Sequence, residues 1–454
     1  MAAHHGALAG GGGGLPITTL ARSLFDTSVP VVILKIGAYP LQHSGVSVAR
    51  SLGRVGVPVY GVCEDRFTPG GASRYLLGRF LWHNDPILPG DFLAGMEEIA
   101  RRIERRSILI PTDDHGAILL AEHAVALSEM FLFPAVPCDL PRRLSSKKGL
   151  YTLCRGLGVP CPEAVFPETS DDVERFLASA AFPVIAKTIE HWSMRKGAPL
   201  RSTTIATSPG DVRRIFAAAR SGGVGLMFQE YIPDEYAEDW IFHGYGDESA
   251  DAIVGFTGVK LRSYPPHAGP TTLGRTVANP ELHAQACQLL KAIEYRGIMD
   301  LDYRLDRRDG QYKLLDFNPR IGAQFRLFED EAGTDVARAL HLDLTGRAVP
   351  RSDPVEGRRF VVEHYDAIAA WSYMKNHELS FAGWLRSVRG VDVAAWFARD
   401  DIRPFVVMSI RVVLDAIWRS IWRARGRRSL SPRSEPRPGH PVRPLYLHSR
   451  AGRH

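Results

Sequence analysis

The sequence predicts an α/β fold for the first third of the chain, an α+β domain after it, and a helical appendix near the C-terminus. Up to about residue 140, apolar strand-like runs alternate with amphipathic helical segments, which is typical of an open parallel sheet. Beyond that point the strands carry polar residues at their ends and the alternation is less regular. A length of 454 residues, 45% of them hydrophobic and 23% charged, suits a globular protein of two or three domains. This composition excludes collagen-like, wholly disordered and small disulfide-stabilised proteins.

The first domain is predicted from five short patterns. In chain order these are a strand at residues 29–36, a helix at 46–55, strands at 58–62 and 108–111, and a helix at 117–127. We therefore predict a Rossmann-like domain over residues 29–140, preceded by a disordered leader over residues 1–28.

Two loops of this domain are candidate substrate loops. Ligands of open parallel sheets bind beyond the carboxyl ends of the strands, where residues 37–45 and 112–115 are expected to lie. Ordinary connecting loops explain both segments equally well. No Gly-x-Gly-x-x-Gly follows the first strand, so a nicotinamide-binding fingerprint is absent and a dehydrogenase is disfavoured.

The charge distribution disfavours nucleic acid as a partner. The net charge is +6, but residues 423–454 carry nine Arg against the single acid Glu435, a local +8, so the other 422 residues sum to 6 − 8 = −2. The body of the protein therefore has no basic field that would attract a phosphate backbone. The five cysteines form no Cys-x-x-Cys pair, which favours the reducing cytoplasm as the location.

The second domain is predicted over residues 141–350. Its helix patterns are residues 145–154, 211–220 and 281–294, and its strand patterns are residues 182–187, 226–232 and 253–262. A β-hairpin with Asp309-Gly310 in its turn follows at residues 297–320. This hairpin contains the densest group of candidate site residues.

The hairpin predicts a metal site. A three-residue loop centred on Asp309 would pair Asp302 with Asp316, and strand alternation would place Asn318 on the same face. Carboxylate and amide oxygens are the ligands that Mg²⁺ prefers, and a sparse set of them leaves positions for phosphate oxygens. Two acids on a solvated face are the alternative interpretation.

On these residues the chain resembles the ATP-grasp superfamily. The metal hairpin of that superfamily has an acidic strand residue followed by [Glu/Asp]-x-Asn-Pro-Arg. The matching positions here are Asp302, Asp316, Asn318 and Arg320. Further matches occur upstream in the expected order, at Lys147, Lys187 and the segment 229–233, so the resemblance covers about residues 29–350. It implies a pre-ATP-grasp Rossmann-like domain followed by a two-lobed ATP-grasp domain, with a lid lobe at about residues 150–228.

The resemblance also implies ATP and Mg²⁺ as cofactors, with Mn²⁺ as an alternative metal, and it assigns roles to side chains. Lys147 and Lys187 would hold nucleotide phosphates, although Lys148 competes with Lys147. The expected adenine-binding segment consists of Gln229, Glu230, Tyr231 and Ile232. The expected ribose acceptor is Glu238, and its competitors are Asp234, Glu235 and Asp239. The expected catalytic cations are Lys260, Arg262 and Arg320. A surface basic strand is an equal alternative for Lys260 and Arg262.

The layout most resembles carboxylate–amine ligases of the D-aspartate ligase kind. That resemblance implies an ATP-dependent, amide-forming ligase that acts on a small-molecule carboxylate and a small-molecule amine through an acyl-phosphate. A biotin-carboxylase or carbamoyl-phosphate type of enzyme is one alternative, and a non-catalytic nucleotide-binding module at a membrane surface is another. The chain departs from many relatives because no Gly-rich loop follows Lys187. Arg195, Lys196 and Arg201 are expected to supply charge there instead.

The C-terminal region is predicted as a helical appendix over residues 351–425, with an amphipathic helix at 404–423, followed by a disordered basic tail over 426–454. Three charged residues interrupt the helix: Arg411, Asp415 and Arg419. They exclude a membrane span. A helix packed on the body of the protein is the favoured interpretation of this segment. Because Trp and aliphatic residues are mixed with Arg, peripheral membrane contact through residues 404–428 is the alternative.

Overall fold

The computed structural model describes residues 22–82, 89–190, 192, 203–267, 269–426 and 446–449. Arg195, Lys196 and Arg201, which were expected to compensate for the absent Gly-rich loop, lie outside these residues. The described strands form three sheets. No helix in the described ranges is both long enough and apolar enough to cross a bilayer.

The first domain is a doubly wound parallel sheet. Its strands are β1 (Val31–Leu34), β2 (Val59–Cys63), β3 (Leu76–Leu81), β4 (Ser107–Pro111) and β5 (Phe131–Leu132), in the spatial order β3-β2-β1-β4-β5. Its helices are α1 (Ser44–Gly53), α2 (Pro89–Ile103), α3 (Asp114–Glu122) and α4 (Ala124–Ser128). The central strand β1 is fully buried, because helices cover both faces of a parallel sheet. The predicted α/β class is confirmed.

A smaller lobe follows. Its elements are α5 (Leu140–Ser145), α6 (Lys147–Leu157), β6 (Ala164–Val165), α7 (Ser170–Leu177), β7 (Val184–Thr188), β8 (Thr203–Ala206), α8 (Pro209–Ser221) and β9 (Leu226–Glu230). The four strands form an antiparallel sheet in the order β6-β9-β7-β8. Val184 and Ala186 of β7 join Phe216 of α8 in the core of this lobe. Strand alternation therefore turns Ile185 and Lys187 to the opposite face of the sheet.

The largest sheet has seven strands. Its elements are β10 (Ala237–Gly246), β11 (Ala252–Ser263), β12 (Thr271–Thr276), α9 (Pro280–Ala292), β13 (Gly297–Asp306), β14 (Gln311–Asn318), α10 (Val336–Leu344), β15 (Arg359–Val361), α11 (Glu363–Lys375), α12 (Phe381–Val388) and β16 (Val393–Ala394). The strand order is β14-β13-β10-β11-β12-β15-β16, and the pairs are antiparallel except β15 with β16. The expected helical appendix thus also adds two strands to this sheet.

Both predicted disordered ends contain ordered residues. Phe25, within the expected leader, is buried and its ring lies 5.8 Å from the ring of His341. The long helix α13 (Arg403–Gly426) ends the appendix, and strand β17 (Tyr446–Ser449) pairs antiparallel with β3 inside the expected tail. Apolar residues of the first domain, among them Val46, share one core with Phe360 and Trp396 of the appendix.

Candidate functional site

The hairpin of β13 and β14 places two carboxylates side by side. Asp302 pairs with Asp316, as expected, and Asp300 pairs with Asn318. The turn between the strands has four residues rather than three. A β-bulge beside Asp302 shifts the register by one residue and compensates for the longer turn. Asp302 therefore still pairs with Asp316, although the predicted turn was one residue too short. Directly opposed side chains on paired strands have Cβ atoms about 5 Å apart, which is close enough for both to act on one ligand.

Three lysines from three elements meet this carboxylate pair. Lys147, the first residue of α6, donates to Oδ1 of Asp316. The Nζ of Lys187, on β7, lies 3.9 Å from Oδ2 of the same carboxylate. The Nζ of Lys260, on β11, lies 2.7 Å from Oδ1 of Asp302. The neighbouring candidate Lys148 points elsewhere, since its Nζ lies 3.3 Å from Oε1 of the exposed Glu168.

The cluster carries one more positive than negative charge, and its members are largely buried. Burial lowers the pKa of Lys187, and the nearby charge of Asp316 only partly opposes this effect. Burial also acts to lower the pKa of Lys260, but the attraction of Asp302 and Asp239 outweighs it and raises that pKa. A dry site with an excess of cations is suited to an anionic ligand such as a polyphosphate.

A cleft of about 820 Å³ opens beside the cluster, between the four-stranded and the seven-stranded sheets. Lys187, Lys260, Asp302 and Asp316 line one part of it. Four consecutive residues at the end of β9 also line it, namely Gln229, Glu230, Tyr231 and Ile232. A volume of this size suits a nucleotide, because ligand pockets commonly span roughly 300–1,000 Å³.

Comparison with known proteins identifies the fold. Residues 268–343, which include the hairpin, match the family model described as carbamoyl-phosphate synthase L chain, ATP-binding domain. A D-aspartate ligase from Enterococcus faecium (strain Aus0004) is 26% identical over 252 residues, which is 52% of this chain and 59% of the relative. The match thus spans less than two thirds of that relative.

Solved structures of two ligase-type enzymes have a similar fold over most of this chain. N5-carboxyaminoimidazole synthetase from Staphylococcus aureus, complexed with ADP, has a TM-score of 0.55 at 11% identity, over 74% of this chain and 82% of that one. L-amino acid ligase from Bacillus licheniformis has a TM-score of 0.54 at 13% identity, over 73% and 76%. This chain has an ATP-grasp fold. Its first domain, small lobe and large sheet correspond to the pre-ATP-grasp domain and the two lobes of that fold.

The ATP-grasp cleft does not include Glu238, the expected ribose acceptor. Strand alternation on β10 turns the next residue, Asp239, into the cleft, where its Oδ1 accepts a 2.8 Å hydrogen bond from Arg304. The Oε2 atom of Glu238 instead lies 3.6 Å from Nη2 of Arg307. Asp239 was one of the competing residues. The structure favours it because Ile241, on the same strand face as Asp239, pairs with Asp302.

Arg262 does not reach the carboxylate pair of the ATP-grasp site. A β-bulge at Leu261 interrupts the alternation that was expected to keep Arg262 beside Lys260. The guanidinium makes a buried two-point contact with Asp366 of α11, at 2.7 and 3.0 Å, and it also donates to Ser387. The structure therefore places Arg262 between the large sheet and the appendix.

Arg320 adjoins the ATP-grasp hairpin and is held from two sides. Its Nη2 donates to Oδ1 of Asn318 at 3.0 Å, and its Nε donates to Oδ1 of Asp114 at 2.9 Å. Asp114 begins α3 in the first domain, within the loop that was expected to contact substrate. The sequence showed this loop and Arg320 separately but gave no signal that they meet.

Asp300 is the site residue that sequence analysis missed. It is buried next to Asp302, and burial, reinforced by the negative charge of Asp302, raises its pKa to about 7. Gln324 donates to its Oδ1 at 3.2 Å, and Nδ1 of His243 lies 3.3 Å from the same oxygen. The Asp-x-Asp spacing of Asp300 and Asp302 was the available signal, since it puts both side chains on one strand face.

The donor set of the hairpin fits Mg²⁺. Two carboxylates and one amide on adjacent strands supply oxygen atoms, which a hard cation prefers, and nitrogen or sulfur donors are not needed. Among the described residues, no group of three or more His, Cys, Asp or Glu side chains forms a metal site by itself. A cation held here would therefore take its remaining ligands from a bound anion and water, which is the usual arrangement for Mg²⁺ at phosphates.

Proposed function

We propose that the protein is an ATP-dependent carboxylate–amine ligase. The observation that carries this proposal is the convergence of Lys147, Lys187 and Lys260 on the carboxylates of Asp302 and Asp316 at one end of a nucleotide-sized cleft. The similarity to a D-aspartate ligase supports the same conclusion, and so does the structural likeness to an L-amino acid ligase. The substrates are a small-molecule carboxylate and a small-molecule amine, of which at least one is an amino acid.

The reaction needs two steps. A carboxylate oxygen of the first substrate attacks the γ-phosphorus of ATP, which forms an acyl-phosphate and breaks the bond to the β-phosphate oxygen, releasing ADP. The amine nitrogen of the second substrate then attacks the acyl carbon, and phosphate leaves as the nitrogen loses a proton. The products are an amide, ADP and phosphate, and no enzyme nucleophile takes part. Catalysis therefore depends on positioning and on electrostatic stabilisation.

The side chains divide these tasks. Lys147 and Lys187 hold the phosphates as compact charges, because Lys187 lines the cleft and Lys147 donates to Asp316, which also lines it. Lys260 and Arg320 stabilise the negative charge that develops on the transferred phosphoryl group. Asp302, Asp316 and Asn318 would hold Mg²⁺, which would supply positive charge to neutralise and orient the phosphates.

The remainder of the cleft recognises the nucleoside. The adenine ring lies against residues 229–232, where backbone groups supply hydrogen bonds. Asp239 accepts from the ribose hydroxyls in place of Glu238, because only Asp239 lines the cleft. Ile185, Ile232 and Leu315 give the cleft apolar walls against which the adenine ring can pack.

The first test is ADP and phosphate release from ATP and Mg²⁺ with pools of D-amino acids, L-amino acids and bicarbonate, followed by mass spectrometry of the products. We expect amino-acid-dependent ADP release and a product whose mass equals its two parent compounds less one water. ADP release that depends on bicarbonate alone would establish the carboxylase alternative. Thermal stabilisation by Mg-ATP without turnover on any pool would favour a non-catalytic nucleotide-binding module.

A matched pair of variants ties the activity to the site. Asp316→Asn removes one carboxylate of the pair, whereas Asp309→Asn changes an exposed acid in the turn of the same hairpin. We expect ADP release to be lost in the first variant and retained in the second. Equal activity in both would refute the proposed site.

A further inference from the structure

Over residues 403–418, where its side chains are described, helix α13 packs on the body of the protein through one side. Met408 is buried, and Phe405 and Val412 pack against the core that the first domain shares with the appendix. Arg411 anchors the same side, since its Nη1 lies 3.0 and 3.1 Å from the two carboxylate oxygens of Asp65. These contacts fix the helix and determine which of its sides faces outward.

The outward side of α13 is apolar. Six large residues recur at spacings of one, three or four positions and are 45–59% exposed: Val406, Ile410, Val413, Leu414, Ile417 and Trp418. We call them the outer stripe. A helix that is packed on the body is expected to be polar on its far side, so an apolar stripe there requires another explanation.

Charge indicates the partner. Helix α13 contains five Arg and one acid, Asp415, and the sequence from residue 423 to the end has a local charge of +8. Apolar side chains combined with Arg on one surface helix suit the boundary between the headgroups and acyl chains of an anionic bilayer. Pairing of two α13 helices from two copies would instead bring two strongly positive segments together, which electrostatic repulsion opposes.

We propose that α13 docks this protein on the surface of an anionic membrane. The outer stripe enters the interface between headgroups and acyl chains, Trp418 lies at headgroup depth, and Arg residues other than Arg411 contact lipid phosphates. Among the residues of α13 whose side chains are described, 403–418, none lines the nucleotide cleft, so the cleft remains open to ATP while the protein is docked. The proposal is independent of the proposed ligase activity, and each can fail alone.

The test uses the full chain with vesicles of phosphatidylcholine alone and of phosphatidylcholine mixed with phosphatidylglycerol, and it measures bound protein by sedimentation. We expect binding to the anionic vesicles at least about tenfold stronger than to the neutral ones, and weaker binding as salt is raised. The variant Ile410→Ser/Ile417→Ser should weaken binding to anionic vesicles by roughly tenfold or more. ATP affinity and thermal unfolding should stay unchanged, because both side chains face outward.

Val125→Ser is the matched control, because Val125 is 90% exposed on α4, away from the outer stripe. It should bind anionic vesicles as the unmodified protein does. Failure of the unmodified protein to bind anionic vesicles would overturn the proposal, as would equal binding by the double variant. A dimer detected by light scattering that the double variant dissociates, without vesicle binding, would assign the outer stripe to self-association and would also overturn it.

Discussion

Arg320, two residues beyond the hairpin of β13 and β14, donates its Nε proton to Oδ1 of Asp114, 2.9 Å away in the first domain. The two residues are 206 positions apart in the chain. Asp300 lies on the other side of the guanidinium, with its Oδ2 3.6 Å from Nη1 of Arg320. The guanidinium is therefore oriented by acids from two domains, which fixes it more firmly than either domain could alone.

Asp114→Asn should lower kcat by roughly ten- to a hundredfold, because a cation that stabilises transferred phosphoryl charge would lose its orientation. Nucleotide affinity should change little, since Asp114 does not line the cleft. Steady-state kinetics and nucleotide titration separate the two effects. Glu122→Gln on the same helix removes a surface pair with Arg142 and should leave both constants unchanged. A loss of nucleotide affinity matching the loss of kcat would contradict the positioning role.

Lys147→Ala should weaken ATP binding by roughly tenfold or more, because a buried charge-assisted contact contributes about 1.5–3 kcal/mol. Lys148→Ala removes the same type of side chain at the adjacent position, where it meets the exposed Glu168 and the ring of Phe166. That variant should bind ATP normally. Isothermal titration of both variants measures the difference, and equal losses would show that the charge of the helix start matters rather than this one lysine.

Asp316→Ala and Asn318→Ala should each abolish Mg²⁺-dependent turnover while the protein stays folded. Both side chains supply oxygen to the proposed cation, and neither belongs to the apolar core. Turnover measured across a Mg²⁺ titration, together with circular dichroism, tests this expectation. Full activity of either variant at low Mg²⁺ would refute its assignment as a ligand.

Arg262→Met should destabilise the protein rather than impair the chemistry, because it leaves Asp366 buried without its cation. Breaking such a pair costs about 3–5 kcal/mol, whereas replacing both partners by apolar residues is often neutral. The double variant Arg262→Met/Asp366→Leu should therefore recover much of the lost stability in urea unfolding. If kcat per folded molecule fell sharply in Arg262→Met, the original expectation of a catalytic Arg262 would regain support.

His43 should make the protein acid-sensitive. Its ring is fully buried between Phe360 and Trp396, and burial, with a smaller contribution from the charge of His364, lowers its pKa to about 3. In the unfolded chain the ring of His43 binds a proton with a pKa near 6.5, whereas in the folded protein it stays neutral until the pH approaches 3. The stabilisation is therefore complete above pH 6.5 and is lost progressively as pH falls toward 3, at a slope of up to about 1.4 kcal/mol per pH unit. Urea unfolding between pH 7.5 and 5 should show a shallower dependence in His43→Phe, and an unchanged slope would exclude His43 as the cause.

Features that depend on nearby residues could be predicted from the sequence. The alternating elements of the first domain and the pairing of Asp302 with Asp316 follow from local patterns. Lys147, Lys187 and the segment 229–232 were instead predicted from the resemblance to the ATP-grasp superfamily. Periodicity and turn chemistry act over a few residues, so they survive in almost any tertiary setting. Even here one detail was wrong, namely the length of the turn. The pairing of Asp302 with Asp316 was nevertheless correct, because the bulge beside Asp302 compensates for the longer turn.

Features that depend on where distant segments meet were decided only by the tertiary structure. Strand alternation predicted Arg262 beside Lys260, but the bulge at Leu261 and the buried partner Asp366 direct it to the appendix. The contact of Arg320 with Asp114 likewise requires two domains to pack at one angle. The sequence by itself therefore determined the class of the fold, because local periodicity sets the elements, and its resemblance to the ATP-grasp superfamily predicted the type of chemistry. Packing between distant segments selected which charged side chains face the cleft, because a buried charge without a counter-charge beside it strongly destabilises the fold.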